Sequence, residues 1–140
     1  MILLDTNVLS DLIQMVPEAS VERWLADKPA SSVFTSAITE AEPRYGLALL
    51  PNGRKRSVLA AAMEAMLAEA FHGRILPFDS PAAAAFADIA AERRRNGRPV
   101  AQAYAQIAAV ARLRGAALAT RNVVDFAGCG IALINPRIAA

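Results

Sequence analysis

Asp5, Glu42 and Asp125 are the side chains best placed to do chemistry, each set in a polar stretch: Asp5-Thr6-Asn7, Thr39-Glu40-Ala41-Glu42, and Thr120-Arg121-Asn122 leading to Asp125. Carboxylates brought together repel unless a cation neutralises them, so a trio of this kind makes sense around a divalent metal. With one Cys and one His in 140 residues, the Cys/His clusters of zinc sites are excluded and any metal must be held by oxygen, as Mg²⁺ or Mn²⁺. Such an ion lowers the pKa of a bound water and offsets charge on a phosphodiester during in-line displacement, which makes hydrolysis of nucleic acid the natural reaction. Spacing along the chain does not establish the trio; the fold has to assemble it.

Short apolar runs alternate with helical patterns. Buried strands are expected at about residues 2–4, 32–35, 74–78, 116–119 and 131–134, and helices at 6–14, 21–28, 39–50, 54–71, 81–95 and 101–114. Breakers fall between them at Pro51-Asn52-Gly53, His72-Gly73, Asn96-Gly97-Arg98-Pro99 and Gly115. This alternation implies an α/β fold, one domain over residues 1–140 with a parallel five-stranded sheet and helices on both faces. Ligands bind such sheets beyond the carboxyl ends of the strands. Asp5 follows the first strand, and Glu42 is expected in the first turn of the helix after the second. Thr120, Arg121, Asn122 and Asp125 follow the fourth strand, and Tyr104 begins a helix that starts at the same edge. Four segments are expected to converge on one crevice.

Each residue has a plainer reading. Asp5 can cap the next helix, Thr39-x-x-Glu42 matches a capping box, and Asn122 and Asp125 suit a turn. Tyr104 can be an ordinary half-buried aromatic, and Asp79 is expected to open a helix before Pro81. His72 and Cys129 have no partner in sequence. Arg54-Lys55-Arg56 and Arg93-Arg94-Arg95 read as solvated faces or as cations steering a phosphate backbone.

Composition narrows the classes. At 55% hydrophobic and 20% charged residues the chain is no disordered segment. No run reaches the ~18 apolar residues of a membrane span. The opening Met-Ile-Leu-Leu meets Asp5 at once, unlike a signal peptide, so a cytoplasmic protein is expected. A net charge of +2, from 15 basic residues, mostly Arg, against 13 acidic ones, permits nucleic-acid binding without demanding it. No glycine occurs in residues 5–10, which excludes a phosphate-cradling loop after the first strand. A haloacid-dehalogenase-like phosphatase would want its second acid at position 7, which is Asn7.

Together the segments resemble the PIN-domain family, and within it the VapC-type and FitB-type toxin ribonucleases of bacterial toxin–antitoxin pairs. The opening Met-Ile-Leu-Leu-Asp-Thr-Asn-Val-Leu-Ser resembles the first motif, and Ser36-Ala-Ile-Thr-Glu-Ala-Glu-Pro-Arg-Tyr-Gly46 the second. Ala119-Thr-Arg-Asn-Val-Val-Asp-Phe126, running on to Ile134-Asn-Pro136, resembles the last, and the likeness covers essentially the whole chain. It implies Asp5, Glu42 and Asp125 as ligands of Mg²⁺ or Mn²⁺, a catalytic set that adds Asn122, and support from Thr6, Asn7 and Thr120. The implied partners are RNA as substrate, a small antitoxin, operator DNA through the antitoxin, and a second copy of the chain in a homodimer or higher oligomer, with apolar faces bearing Trp24 and Leu25 available for it. Two departures stand out. Tyr104 occupies the place of the family's third acidic residue, and a phenol is a poor ligand for Mg²⁺. Pro43 replaces the apolar residue after Glu42 and is expected to push Glu42 off helical dihedrals and re-aim its carboxylate. Asn122 stands where some members have Asp. The implied ribonuclease is therefore short of negative charge and impaired, and its rival is an inactive module that binds antitoxin without cutting RNA.

Overall fold

Leu3 and Leu4 are neighbours in sequence yet belong to different cores, because successive strand side chains point to opposite faces of a sheet. Both are fully buried, so the sheet is covered on both sides. The computed structural model describes residues 1–14 and 16–139. In chain order the elements are β1 (Ile2–Leu4), α1 (Thr6–Ile13), α2 (Ala19–Ala26), β2 (Val33–Ser36), α3 (Ala37–Leu49), α4 (Arg54–Ala65), β3 (Ile75–Leu76), α5 (Ser80–Arg95), α6 (Gln102–Arg114), β4 (Ala117–Ala119), α7 (Val123–Phe126) and β5 (Leu133–Ile134). All the strands are parallel, in the order β3-β2-β1-β4-β5.

On one face Leu3 and Leu118 pack with Ile89 of α5, Ile107 and Val110 of α6, and Phe126 of α7. On the other, Leu4 packs with Val8, Leu9, Val21, Trp24 and Phe71. Each such fully buried aliphatic contributes about 1.5–3 kcal/mol. The buried Ala105, Ala108, Ala109 and Ala111 of α6 add little bulk, which suits a helix packed along α5 and the sheet together. Trp24 lies within this core at 7% exposure and offers little apolar surface to a second copy, while Leu25 beside it is only half-buried.

Several boundaries depart from the sequence reading. The helix expected over 54–71 stops at Ala65 and continues as one wider π-type turn, Met66–Ala70. The segment after β4, where no helix was expected, forms α7. α3 begins at Ala37, capped by Ser36, whose hydroxyl accepts the Thr39 N–H at 3.1 Å. Thr39 is therefore inside the helix and is no cap, and Glu42 falls in the second turn rather than the first. Pro43 sits within α3 without ending it; it withholds one backbone donor, and Glu42 keeps its helical place. Asp79 does open α5, accepting the Ala82 N–H at 3.1 Å.

From β1 the chain moves outward through β2 to β3 and then crosses to β4 on the other side of β1. The strand order thus reverses between β1 and β4, and a crevice opens at their carboxyl ends.

Candidate active site

Asp5 comes directly after β1 and Thr120 directly after β4, and the Asp5 N–H donates to the Ala119 carbonyl at 2.9 Å. The parallel pairing therefore runs into the crevice and sets the two side chains together. The Thr120 hydroxyl donates to Asp5 Oδ2 at 2.7 Å, and the Asn7 side-chain amide donates to the same oxygen at 3.2 Å. Asn7 is held in turn by its own oxygen, which accepts the Arg121 N–H at 3.1 Å. Thr120 Oγ1 also accepts the Asn122 N–H at 3.0 Å.

Asp5 is 1% exposed, and its Oδ1 is buried with no hydrogen-bond partner. Burial pushes the Asp5 carboxyl above the usual range; the Thr120 hydroxyl and the Thr6 amide pull it down, Glu42 pushes it up, and Arg121 pulls it down. A carboxylate oriented through one oxygen and bare on the other is costly until a proton or cation neutralises it.

Glu42, exposed on α3, is the carboxylate that acts on Asp5. Tyr104 lies in the first turn of α6. Its hydroxyl accepts from Asn122 Nδ2 at 3.2 Å, and its ring packs on the fully buried Phe126, centroids 5.0 Å apart and tilted 37°. Burial raises the phenol above its ordinary value, the charges of Asp5, Asp125 and Glu42 raise it further, and the Asn122 bond opposes them. A neutral group thus occupies the point where the fields of three carboxylates overlap. Beside it runs a crevice of about 420 Å³, lined by Thr6, Ile38, Ala41, Glu42, Tyr104 and Gln106 among others.

Asp125 is exposed in the first turn of α7, where its charge reaches the Tyr104 phenol. Among the described residues no three His, Cys, Asp or Glu side chains gather into a metal cage. The donor set still fits Mg²⁺ or Mn²⁺ in a lean form, because Mg²⁺ keeps several waters and commonly takes only one or two carboxylates together with substrate phosphate. Asp5, with its bare Oδ1, and Glu42 are the two carboxylates that would supply it.

Two buried charged residues escaped the sequence reading. Arg93, placed in a solvated run, is 7% exposed in the last turn of α5. It donates to the carbonyls of Arg98 at 2.7 Å, Asp125 at 3.1 Å and Ala127, and so ties α7 to the end of α5. Asp11, 1% exposed in α1, takes Arg137 in a two-pronged pair at 2.9 and 3.2 Å, with Arg121 at 3.9 Å. Its four-residue spacing from Asn7, which puts both on one face of α1, was the available signal. Cys129 is buried as a free thiol and His72 is exposed.

The chain is similar to known proteins along nearly its whole length. The PIN domain profile matches residues 2–126. Toxin FitB of Neisseria gonorrhoeae is 43% identical over 136 residues, covering 97% of this chain and 98% of its own. VapC ribonuclease Y4jK of Sinorhizobium fredii is 38% identical over 136 residues, covering 97% of each. The solved structure of FitAB bound to an IR36 DNA fragment superposes with a TM-score of 0.92 at 42% identity, covering 100% of this chain and 98% of that one. No helix among the described residues is long and apolar enough to cross a membrane. With the profile spanning nearly all of the chain and the strand order placing Asp5 beside Thr120, the chain belongs to the PIN-domain family.

Proposed function

We propose that this chain is an Mg²⁺- or Mn²⁺-dependent endoribonuclease, the toxin of a type II toxin–antitoxin pair, impaired because Tyr104 stands at an acidic ligand position. The observation that carries the reading is the buried, unpartnered Oδ1 of Asp5 at the carboxyl edge of the sheet. Likeness to a VapC ribonuclease and to toxin FitB over 97% of the chain supports the substrate and the role. Asp5 and Glu42 hold the ion, with Asp125 the further carboxylate of the crevice. The cation supplies positive charge against the phosphodiester and acidifies water. Asp5 is aimed by the Thr120 hydroxyl and the Asn7 amide, Asn7 is steadied by the Arg121 N–H, and α3 presents Glu42 as a rigid arm. Asn122, anchored on Thr120, holds the Tyr104 hydroxyl.

A small antitoxin, operator DNA reached through it, and a second copy of the chain are the partners of this reading, which belongs in the cytoplasm. The solved FitAB–DNA assembly supports the first two. Tyr45 and Leu49, one turn apart on α3 and each 66% exposed, are among the apolar residues available to a second copy, and we assign them to it.

The second reading, an inactive antitoxin-binding module, is favoured by the seating of Tyr104 on Phe126 and Asn122. Incubation of the purified chain with a structured RNA, in Mn²⁺ and in chelator, separates the two. The ribonuclease reading expects slow cleavage abolished by chelator. Cleavage indifferent to chelator, or none by either the native chain or Tyr104→Asp, overturns it.

A further inference from the structure

We propose that the crevice between α3 and α6 is a nucleobase subsite, with the Tyr104 ring as its stacking platform. The inference deepens the RNA reading and rests on it for the source of the base. The crevice holds about 420 Å³, within the ~300–1,000 Å³ of small-ligand sites. Its walls combine apolar Ile38, Ala41 and Ile107 with one aromatic, Tyr104, and one amide, Gln106. That is the set a base requires: a π-face to stack on, and a donor and acceptor to meet its edge.

The platform is built in advance. Phe126 lies against the ring and Asn122 holds its hydroxyl, so little freedom remains to be lost when a base arrives. Glu42 lines the crevice, and Asp5 and Asp125 act with it on the Tyr104 phenol, so before a cation is bound an anion entering there meets repulsion while a neutral planar ring does not. Thr6, next to Asp5 in the chain, and Glu42, whose charge acts on Asp5, line the crevice, so a base seated there brings its backbone past the candidate metal ligands.

Neutral nucleosides probe the subsite without a cation or a cleavable bond. Amide shifts are followed by NMR while adenosine, guanosine, cytidine and uridine are each titrated in chelator. At least one nucleoside is expected to move the amides of Ile38, Ala41, Ala103, Tyr104, Gln106 and Ile107. Tyr104→Phe, which keeps a stacking ring, should bind within about twofold of the native chain, and Tyr104→Leu at least about fivefold more weakly. Tyr104→Asp should lose nucleoside affinity while gaining Mn²⁺ affinity, opposite movements that loss of structure cannot produce. Thermal melts establish that each variant is folded. No shift up to the solubility limit, shifts confined to another surface, or equal binding by native chain and Tyr104→Leu overturns the subsite. Nucleoside binding without any Mn²⁺-dependent cleavage leaves the subsite standing and removes the ribonuclease reading; cleavage without nucleoside binding does the reverse.

Discussion

Replacing Asp5 by Asn is expected to stabilise the metal-free chain while abolishing its response to Mn²⁺. An amide can turn its oxygen to the Thr120 hydroxyl and the Asn7 amide, keeping both bonds that Oδ2 now accepts, and it places a neutral NH₂ where Oδ1 has no partner. An uncompensated buried charge costs more than an unsatisfied neutral group, and the difference is about 1–2 kcal/mol in favour of Asn. For a chain of 140 residues the unfolding entropy converts this to a Tm higher by about 3–6 °C near pH 7. The advantage must depend on pH. Burial raises the folded-state pKa of Asp5 above its unfolded value, so the native chain is most stable with Asp5 protonated and loses stability as pH rises through that raised value. The two melting curves therefore converge on acidification and separate toward neutrality. Mn²⁺ at about 100 times its Kd should return about 2.7 kcal/mol to the native chain and nothing to Asp5→Asn. Calorimetry in chelator across pH, then with Mn²⁺, measures all of this. A lower Tm for Asp5→Asn near pH 7, a difference constant with pH, or an equal Mn²⁺ shift in both forms would refute the argument.

Tyr104→Asp should bind Mn²⁺ more tightly by titration calorimetry and raise chelator-sensitive RNA cleavage by on the order of 10² to 10⁴, because a hard cation in an oxygen site is held chiefly by charge. Arg93→Met removes the donors to the Arg98, Asp125 and Ala127 carbonyls and should cost about 2–4 kcal/mol in a thermal melt, with Arg93→Lys recovering only part since an ammonium cannot span the same acceptors. Sedimentation at about micromolar concentration should show a homodimer, with Tyr45→Glu shifting it toward monomer; obligate interfaces are large and apolar, and a stable native monomer would count against the assignment.

Local pattern was enough for the class of fold. Apolar runs too short for helices, separated by helical stretches and punctuated at Pro51-Asn52-Gly53 and Gly115, left little besides a parallel sheet covered on both faces. Asp5 could be placed at the carboxyl edge because it follows the first strand directly, and Tyr104 stood out as a departure only against the acidic position that the family resemblance implies there. The true start of α3 was hidden: Thr39-x-x-Glu42 reads as a capping box, and only the bond from the Thr39 N–H to the Ser36 hydroxyl shows that Ser36 is the cap. Tertiary structure alone decided which ends meet. The bond from Thr120 to Asp5 spans 115 residues, and the pair of Arg137 with Asp11 spans 126. Periodicity reports how one segment buries its own face; it carries nothing about the segment that will lie beside it, which is settled by covering both faces of the sheet at once. For the same reason Arg93 looked like part of a solvated run: its burial depends on carbonyls left open by a turn and by α7, and those acceptors come together only once the chain has folded.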